Sequence, residues 1–224
     1  ARGFVVRDAS SVVSSWRADE SLDAYLARHG VVALGEVDTR SLTKHIRDHG
    51  AQNAAIGSGE PEALLRAARE APDMNGLDLV KEVTPPAPYP WTESSGDWRA
   101  AGTPGVPETR SAPNQGDRHV VVFDLGIKRN ILRCLVDVGC RVTAVPASTS
   151  ADEIMALNPD GIFVSNGPGD PAAVTYTIET LKTLLGKKPI FGICLGHQML
   201  ARAAGASTFK LKFGHRGINQ PVKD

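Results

Sequence analysis

Cys194 stands between two glycines, in Gly192-Ile193-Cys194-Leu195-Gly196-His197-Gln198. An apolar run, Pro189 to Ile193, leads into it, and a helical pattern, His197 to Ala204, leads away. The pattern G-x-C-x-G between strand and helix is the cysteine form of the nucleophile elbow. A side chain at such a sharp turn projects above the sheet. Residues two positions away on each side are crowded, and glycine relieves this because it has no Cβ. The following helix aims its N-terminus at the sulfur, and its dipole favours thiolate over thiol. The Leu195 N–H would then face the oxyanion formed when a thiolate attacks a carbonyl.

A second strand end lies close by in the pattern. Gly161 to Val164 runs into Ser165-Asn166-Gly167-Pro168-Gly169-Asp170-Pro171. Gly167 and Gly169 leave backbone N–H groups uncovered. They suit a second oxyanion donor and a binding ledge for a small polar substrate. The loop lacks the lysine and Ser/Thr of a P-loop, so it reads poorly as a phosphate cradle. A lone cysteine after an apolar strand is ordinarily a core residue. The flanking glycines, the strand-end placement and the neighbouring glycine loop favour the catalytic reading. Cys134 and Cys140 lack such a setting and read as helix and strand packing. His197 falls in the first helical turn and reads as structural. His215 qualifies as a base by residue type alone.

The elements that must position these residues alternate from His119 onward. Strands are read at Val120–Phe123, Arg141–Val145, Gly161–Val164 and Pro189–Ile193. Helices are read at Asn130–Val138, Ala151–Leu157, Val174–Leu185 and His197–Ala204. Such alternation predicts a parallel sheet covered on both faces, with function at the carboxyl ends of the strands. The N-terminal part reads as a smaller α/β unit. Its strands are Gly3–Arg7 and Val31–Leu34, and its helices Ser21–His29, Ser41–His49 and Glu62–Glu70. Residues 84–117 hold seven prolines with Trp91 and Trp98. Proline forbids regular helix and disfavours a central strand, so this stretch reads as a linker that packs through its tryptophans. The expected organisation is a small N-terminal α/β domain at 1–83, a linker at 84–117 and a larger, parallel-sheet α/β domain at 118–224.

Bulk properties narrow the partners. Twenty-five basic residues balance twenty-five acidic ones. A neutral chain without a basic stripe gives no reason to expect nucleic acid or an anionic membrane. No apolar run approaches the roughly 20 residues of a membrane span. Three cysteines without a C-x-x-C pair predict neither a disulfide framework nor a metal site, and fit a reducing cytoplasm. The start, without methionine and on a strand, reads as that of a fragment.

The elbow and the Asn166–Pro171 loop together resemble the class I glutamine amidotransferases. Asp124-Leu125-Gly126-Ile127-Lys128-Arg129-Asn130 and Lys212-Phe213-Gly214-His215-Arg216-Gly217-Ile218-Asn219-Gln220-Pro221-Val222 resemble the small-subunit family of carbamoyl phosphate synthetases within that class. So do Val37-Asp38-Thr39-Arg40-Ser41-Leu42-Thr43 and Gly50-Ala51-Gln52-Asn53. The resemblance implies a flavodoxin-like, mostly parallel α/β amidotransferase domain, incomplete at its C-terminus, behind a small N-terminal α/β domain. Cys194 matches the nucleophile, and Leu195 and Gly167 the oxyanion-hole backbone donors. Gly167, Gly169, Leu195 and Gln198 match contacts to L-glutamine. The implied reaction hydrolyses glutamine through a Cys194 thioester. Ammonia passes to a large synthetase subunit, which carries ATP and Mg and makes carbamoyl phosphate from bicarbonate for arginine and pyrimidine biosynthesis. No cofactor is implied on this subunit. The family's catalytic histidine and its glutamate match no residue here, so the chain alone is expected to turn over weakly. Two other readings stand beside this one. The first is a different cysteine-elbow protein, such as a γ-glutamyl hydrolase or an amidotransferase of GMP, CTP or anthranilate synthesis. The second is a non-enzymatic docking subunit. The N-terminal segment speaks against the first, and the intact elbow against the second.

Overall fold

The computed structural model describes residues 3–15, 18–95, 116–212 and 214. Trp98, most of the 84–117 stretch, His215 and the segment after it lie outside the described residues. In chain order the elements are β1 (Gly3–Val5), α1 (Leu22–Arg28), β2 (Val32–Leu34), α2 (Thr39–His49), α3 (Pro61–Glu70) and β3 (Tyr89–Trp91). They continue with β4 (His119–Asp124), α4 (Arg129–Asp137), β5 (Arg141–Pro146) and α5 (Ala151–Ala156). The last are β6 (Gly161–Val164), α6 (Thr175–Leu184), β7 (Ile190–Gly192) and α7 (Leu195–Ala203). Two compact units result, one of residues 1–73 with 210–224, the other of residues 74–209.

The second unit is built on a five-stranded sheet in the order β3-β5-β4-β6-β7. Strands β4 to β7 are parallel to their neighbours, and β3 runs antiparallel along β5. Taken in chain order, the parallel strands lie second, first, third, fourth, which is the flavodoxin-like arrangement. Strand β4 is apolar almost throughout because both its faces are covered. Val121 and Phe123 join the side that holds Ile154, Leu181, Leu195 and Met199 of α5, α6 and α7. Val122, on the opposite side, packs with Leu132 and Val136 of α4. Two-residue alternation along one strand therefore feeds both cores. Helix α5 starts with a capping box between Ser150 and Glu153.

Strand β3 falls in the stretch read from sequence as a linker. Its Pro90 is tolerated because β3 is an edge, where a missing N–H costs no ladder bond. Trp91 is half-buried and pairs with Val142.

The first unit pairs β1 and β2 in parallel, with Gly3 opposite Val32 and Val5 opposite Leu34. Helix α1 is capped by the Ser21 side chain and buries Leu26. Helix α2 is capped by Asp38, which accepts from the Ser41 N–H at 3.0 Å. The main chain returns to this unit at residue 210, and the Ala51 N–H donates to the Lys212 carbonyl at 2.9 Å. A cavity of about 530 Å³ lies beside α1, lined by Val12, Tyr25 and Arg28 among others, and no candidate site residue borders it. Among the described residues no helix is long and apolar enough to cross a membrane, and no three metal-ligating side chains gather.

His119, at the start of β4, is buried. Its Nδ1–H donates to the Leu157 carbonyl at 3.1 Å, which leaves Nε2 to accept from the Thr143 hydroxyl at 2.8 Å. Burial, and next the positive charge of Arg141, hold its pKa below the ordinary 6.5. The unfolded chain therefore binds the proton more readily than the folded one. Stability from this group is full above the unfolded value and falls as the pH drops through it toward the folded value. The urea midpoint is expected to fall between pH 7.5 and 5.5, and the drop to flatten in His119→Gln. Parallel urea titrations of both chains at the two pH values measure this.

Candidate active site

Cys194 caps α7 with φ 55° and ψ −113°. A positive φ at a residue with a side chain costs of order 1–3 kcal/mol and persists only where the surroundings enforce it. Here the surroundings are backbone. A Cβ on Gly192 would lie 2.7 Å from the Gly196 carbonyl carbon and 2.8 Å from the His197 nitrogen. A Cβ on Gly196 would lie 2.2 Å from the Val164 oxygen and 2.8 Å from the Ser165 oxygen. Both glycines are thus demanded by contact, as the motif predicts. The turn is also bonded to β6: Ile193 N–H donates to Val164 O and Gly196 N–H to Ser165 O, each at 3.0 Å. Cys194 is exposed at the N-terminus of the nine-residue α7. Leu195 is buried beside it, and Gln198 sits one turn on, on the same helix face. His197 is exposed in the first turn.

The glycine loop lies against this turn. A Cβ on Gly167 would be 2.3 Å from the Leu125 oxygen and 2.8 Å from Leu195 Cδ2. Among the described residues neither the Gly167 N–H nor the Leu195 N–H has an acceptor. Gly169 adopts φ 90°, and a Cβ there would be 2.8 Å from the Leu77 oxygen. The chain at 76–79 therefore runs under this loop. Asp170 holds it there, accepting from the Gly76 N–H at 3.0 Å and donating its own N–H to Leu77 O at 3.2 Å. Nearby, Tyr176 donates toward Asp78 at 3.4 Å. Burial, then the Asp78 charge, push the Tyr176 phenol up to about 12, so it stays a donor.

Side chains at the ends of β4 and β6 fix the glycine loop and the turn after β4. Asp124, at the end of β4, accepts from the Gly126 and Ile127 N–H groups at 2.9 Å each and from the Tyr89 hydroxyl at 2.7 Å. Burial and the neighbouring carboxylate raise the Tyr89 pKa, which keeps that hydroxyl a donor. Asn166 accepts from the Lys128 N–H at 3.0 Å and donates to the Gly126 carbonyl at 3.3 Å. Ser165 accepts from the Leu125 N–H at 3.0 Å and donates to the Asn166 carbonyl at 2.8 Å. Sequence reasoning gave Asp124, Ser165 and Asn166 no role. Short polar residues at two adjacent strand ends were the available signal. Tyr89 offered none, being hidden among prolines.

One expectation is corrected. Cys134 does not pack in the helix interface; it is exposed on α4. The helix buries Leu132 and Val136, four apart, and Cys134 sits between them in sequence and so turns away. Cys140 is half-buried against the α4 side of the sheet, and burial raises its pKa.

The sequence matches the class-I glutamine amidotransferase family over residues 121–224. It matches the CPSase domain of the carbamoyl-phosphate synthase small chain over residues 1–56. Several curated relatives are named carbamoyl phosphate synthase small chain. The one from Photorhabdus laumondii is 52% identical over 228 residues, covering 100% of this chain and 58% of that protein. The one from Syntrophotalea carbinolica is 53% identical over 223 residues, covering 99% and 57%. The one from Escherichia coli K12 is 51% identical over 228 residues, covering 100% and 58%. The chain thus spans 57–58% of the length of these relatives.

Proposed function

From the premise that the chain belongs to the carbamoyl phosphate synthase small chain family, we propose that it carries the glutaminase nucleophile of such an enzyme. The observation that carries the reading is the strained Cys194, held at φ 55° above two glycines that admit no Cβ. In this reading the Cys194 sulfur attacks the side-chain amide carbon of L-glutamine. The S–C bond forms, the C–N bond breaks, and nitrogen leaves as ammonia once it has gained a proton. Water then cleaves the thioester to glutamate. Negative charge builds on the carbonyl oxygen in both steps. The Leu195 and Gly167 N–H groups, both without an acceptor among the described residues, are the donors proposed to meet it. Gly169 and Gln198 are the proposed contacts to the rest of the substrate.

Ammonia released into water becomes ammonium and loses its nucleophilicity. The product is therefore proposed to pass directly to a large synthetase subunit that holds ATP and Mg and uses bicarbonate. The assembly would be a cytoplasmic heterodimer or a larger form. Formal charge of zero favours a packed interface of mixed polarity over long-range attraction.

A chloroketone analogue of glutamine tests the nucleophile. It is expected to label Cys194 saturably, with protection by glutamine and none by asparagine. Cys134 is also exposed and provides an internal control. Adducts mapped by peptide mass to Cys134 or Cys140 first, or labelling indifferent to glutamine, would remove the assignment.

A further inference from the structure

The Asn166–Gly167 peptide has a defined orientation, and one buried hydroxyl sets it. Ser165 is wholly buried. Its Oγ accepts from the Leu125 N–H at 3.0 Å, which commits a lone pair, and its single proton goes to the Asn166 carbonyl at 2.8 Å. In a trans peptide the N–H points opposite to the C=O. Turning the Asn166 carbonyl inward to Ser165 therefore turns the Gly167 N–H outward, where among the described residues it meets no acceptor. A flipped peptide would strand the buried hydroxyl proton and present a carbonyl oxygen where negative charge develops. Leaving a buried polar group unpaired costs about 1–3 kcal/mol.

The platform below is fixed independently. Leu125, which donates to Ser165, also presses its carbonyl on Gly167, 2.3 Å from where a Cβ would stand. Asp124 ties the next two N–H groups of that turn. Ser165 is also joined to the elbow, since its carbonyl accepts from the Gly196 N–H at 3.0 Å. One buried residue thus touches the glycine loop, the β4 turn and the nucleophile turn.

We propose that Ser165 is a positioning residue whose hydroxyl locks the Asn166–Gly167 peptide with the Gly167 N–H turned toward the reacting carbonyl. This rests on the reading that Cys194 attacks glutamine.

Two probes separate positioning from packing, both used on the 224-residue chain. The aldehyde analogue of glutamine forms a hemithioacetal: the S–C bond forms, the C=O π bond opens, and the thiol proton ends on oxygen. Iodoacetamide alkylates by displacement of iodide and develops no charge on a carbonyl oxygen. In Ser165→Ala the aldehyde is expected to bind about 10- to 10²-fold more weakly, approaching the loss of a whole oxyanion donor. Iodoacetamide should alkylate Cys194 at the wild-type rate. Ser165→Cys fills the same space with a weak donor and replaces the alanine variant should that chain not fold, with adducts mapped by peptide mass. Unchanged aldehyde affinity overturns the proposal. So does an equal loss with both probes, which would mark Ser165 as a packing residue only, or a chain that folds with neither replacement. Failure of the wild-type chain to bind the aldehyde at all is a separate result and sinks the glutaminase reading itself.

Discussion

Gly196→Ala is expected to cost about 3 kcal/mol or more and to abolish labelling of Cys194 by glutamine-like electrophiles. The new Cβ would stand 2.2 Å from the Val164 oxygen, 2.6 Å from its carbonyl carbon and 2.8 Å from the Ser165 oxygen. All three are main-chain atoms of β6 and its loop, so no side chain can rotate out of the way. Overpacking of this kind ordinarily costs about 1–3 kcal/mol, and a backbone obstacle places it at the top of that range or above. The only relief is to move the start of α7 away from β6. That breaks the Gly196 N–H bond to Ser165 O and displaces the Leu195 N–H with it. Gly205→Ala is the control. That glycine adopts φ 97° but has nothing within 4 Å of the added Cβ. It should lose only the roughly 1–2 kcal/mol of a left-handed conformation and leave labelling intact. Thermal melts and labelling rates on both variants measure the contrast. Equal behaviour would show that the elbow is not close-packed.

That contact also shows how far the sequence could be read. Glycines two residues either side of a cysteine announce a crowded turn, and crowding was expected within the turn itself. Gly192 fits this, since its obstacle is the Gly196–His197 backbone. The obstacle at Gly196 is instead the end of the neighbouring strand, roughly thirty residues back. The parallel sheet was legible because each strand is a short apolar run ended by a glycine or polar cluster, a pattern set by burial on both faces. Strand β3 was not, because three residues around Pro90 carry no alternation and gain their order only from β5. The surface position of Cys134 was legible in principle, from the four-residue spacing of Leu132 and Val136. The bonds of Ser165 were not. Serine is short and common, and its partner Leu125 lies 40 positions away in the chain. The same holds for the Leu77–Leu79 backbone against Gly169. No local pattern encodes a contact between two loops brought together at a strand crossover.

On the proposed function, Cys194→Ser in the protein assembled with its synthetase should lower glutamine-dependent carbamoyl phosphate formation by about 10³-fold or more, and leave ammonia-dependent formation unchanged. A serine hydroxyl is a far weaker nucleophile than a thiol near neutrality, because almost none of it ionises. The strained turn would present that hydroxyl in the same place, so geometry alone cannot rescue the rate. Groups that act as a unit with the nucleophile lose most of their effect when it is removed. Serine nearly matches cysteine in volume, and residue 194 is exposed, so the fold and any docking surface should survive. The two assays therefore part company. Supplied ammonia bypasses the thiol and reports only on the synthetase and the assembly. Supplied glutamine reports on Cys194. A variant that loses both activities equally would show that position 194 supports the complex rather than the chemistry. One that keeps glutamine-dependent activity would move the nucleophile elsewhere, and Cys134, exposed on α4 but without a glycine turn or a helix N-terminus beneath it, would then be the residue to replace next.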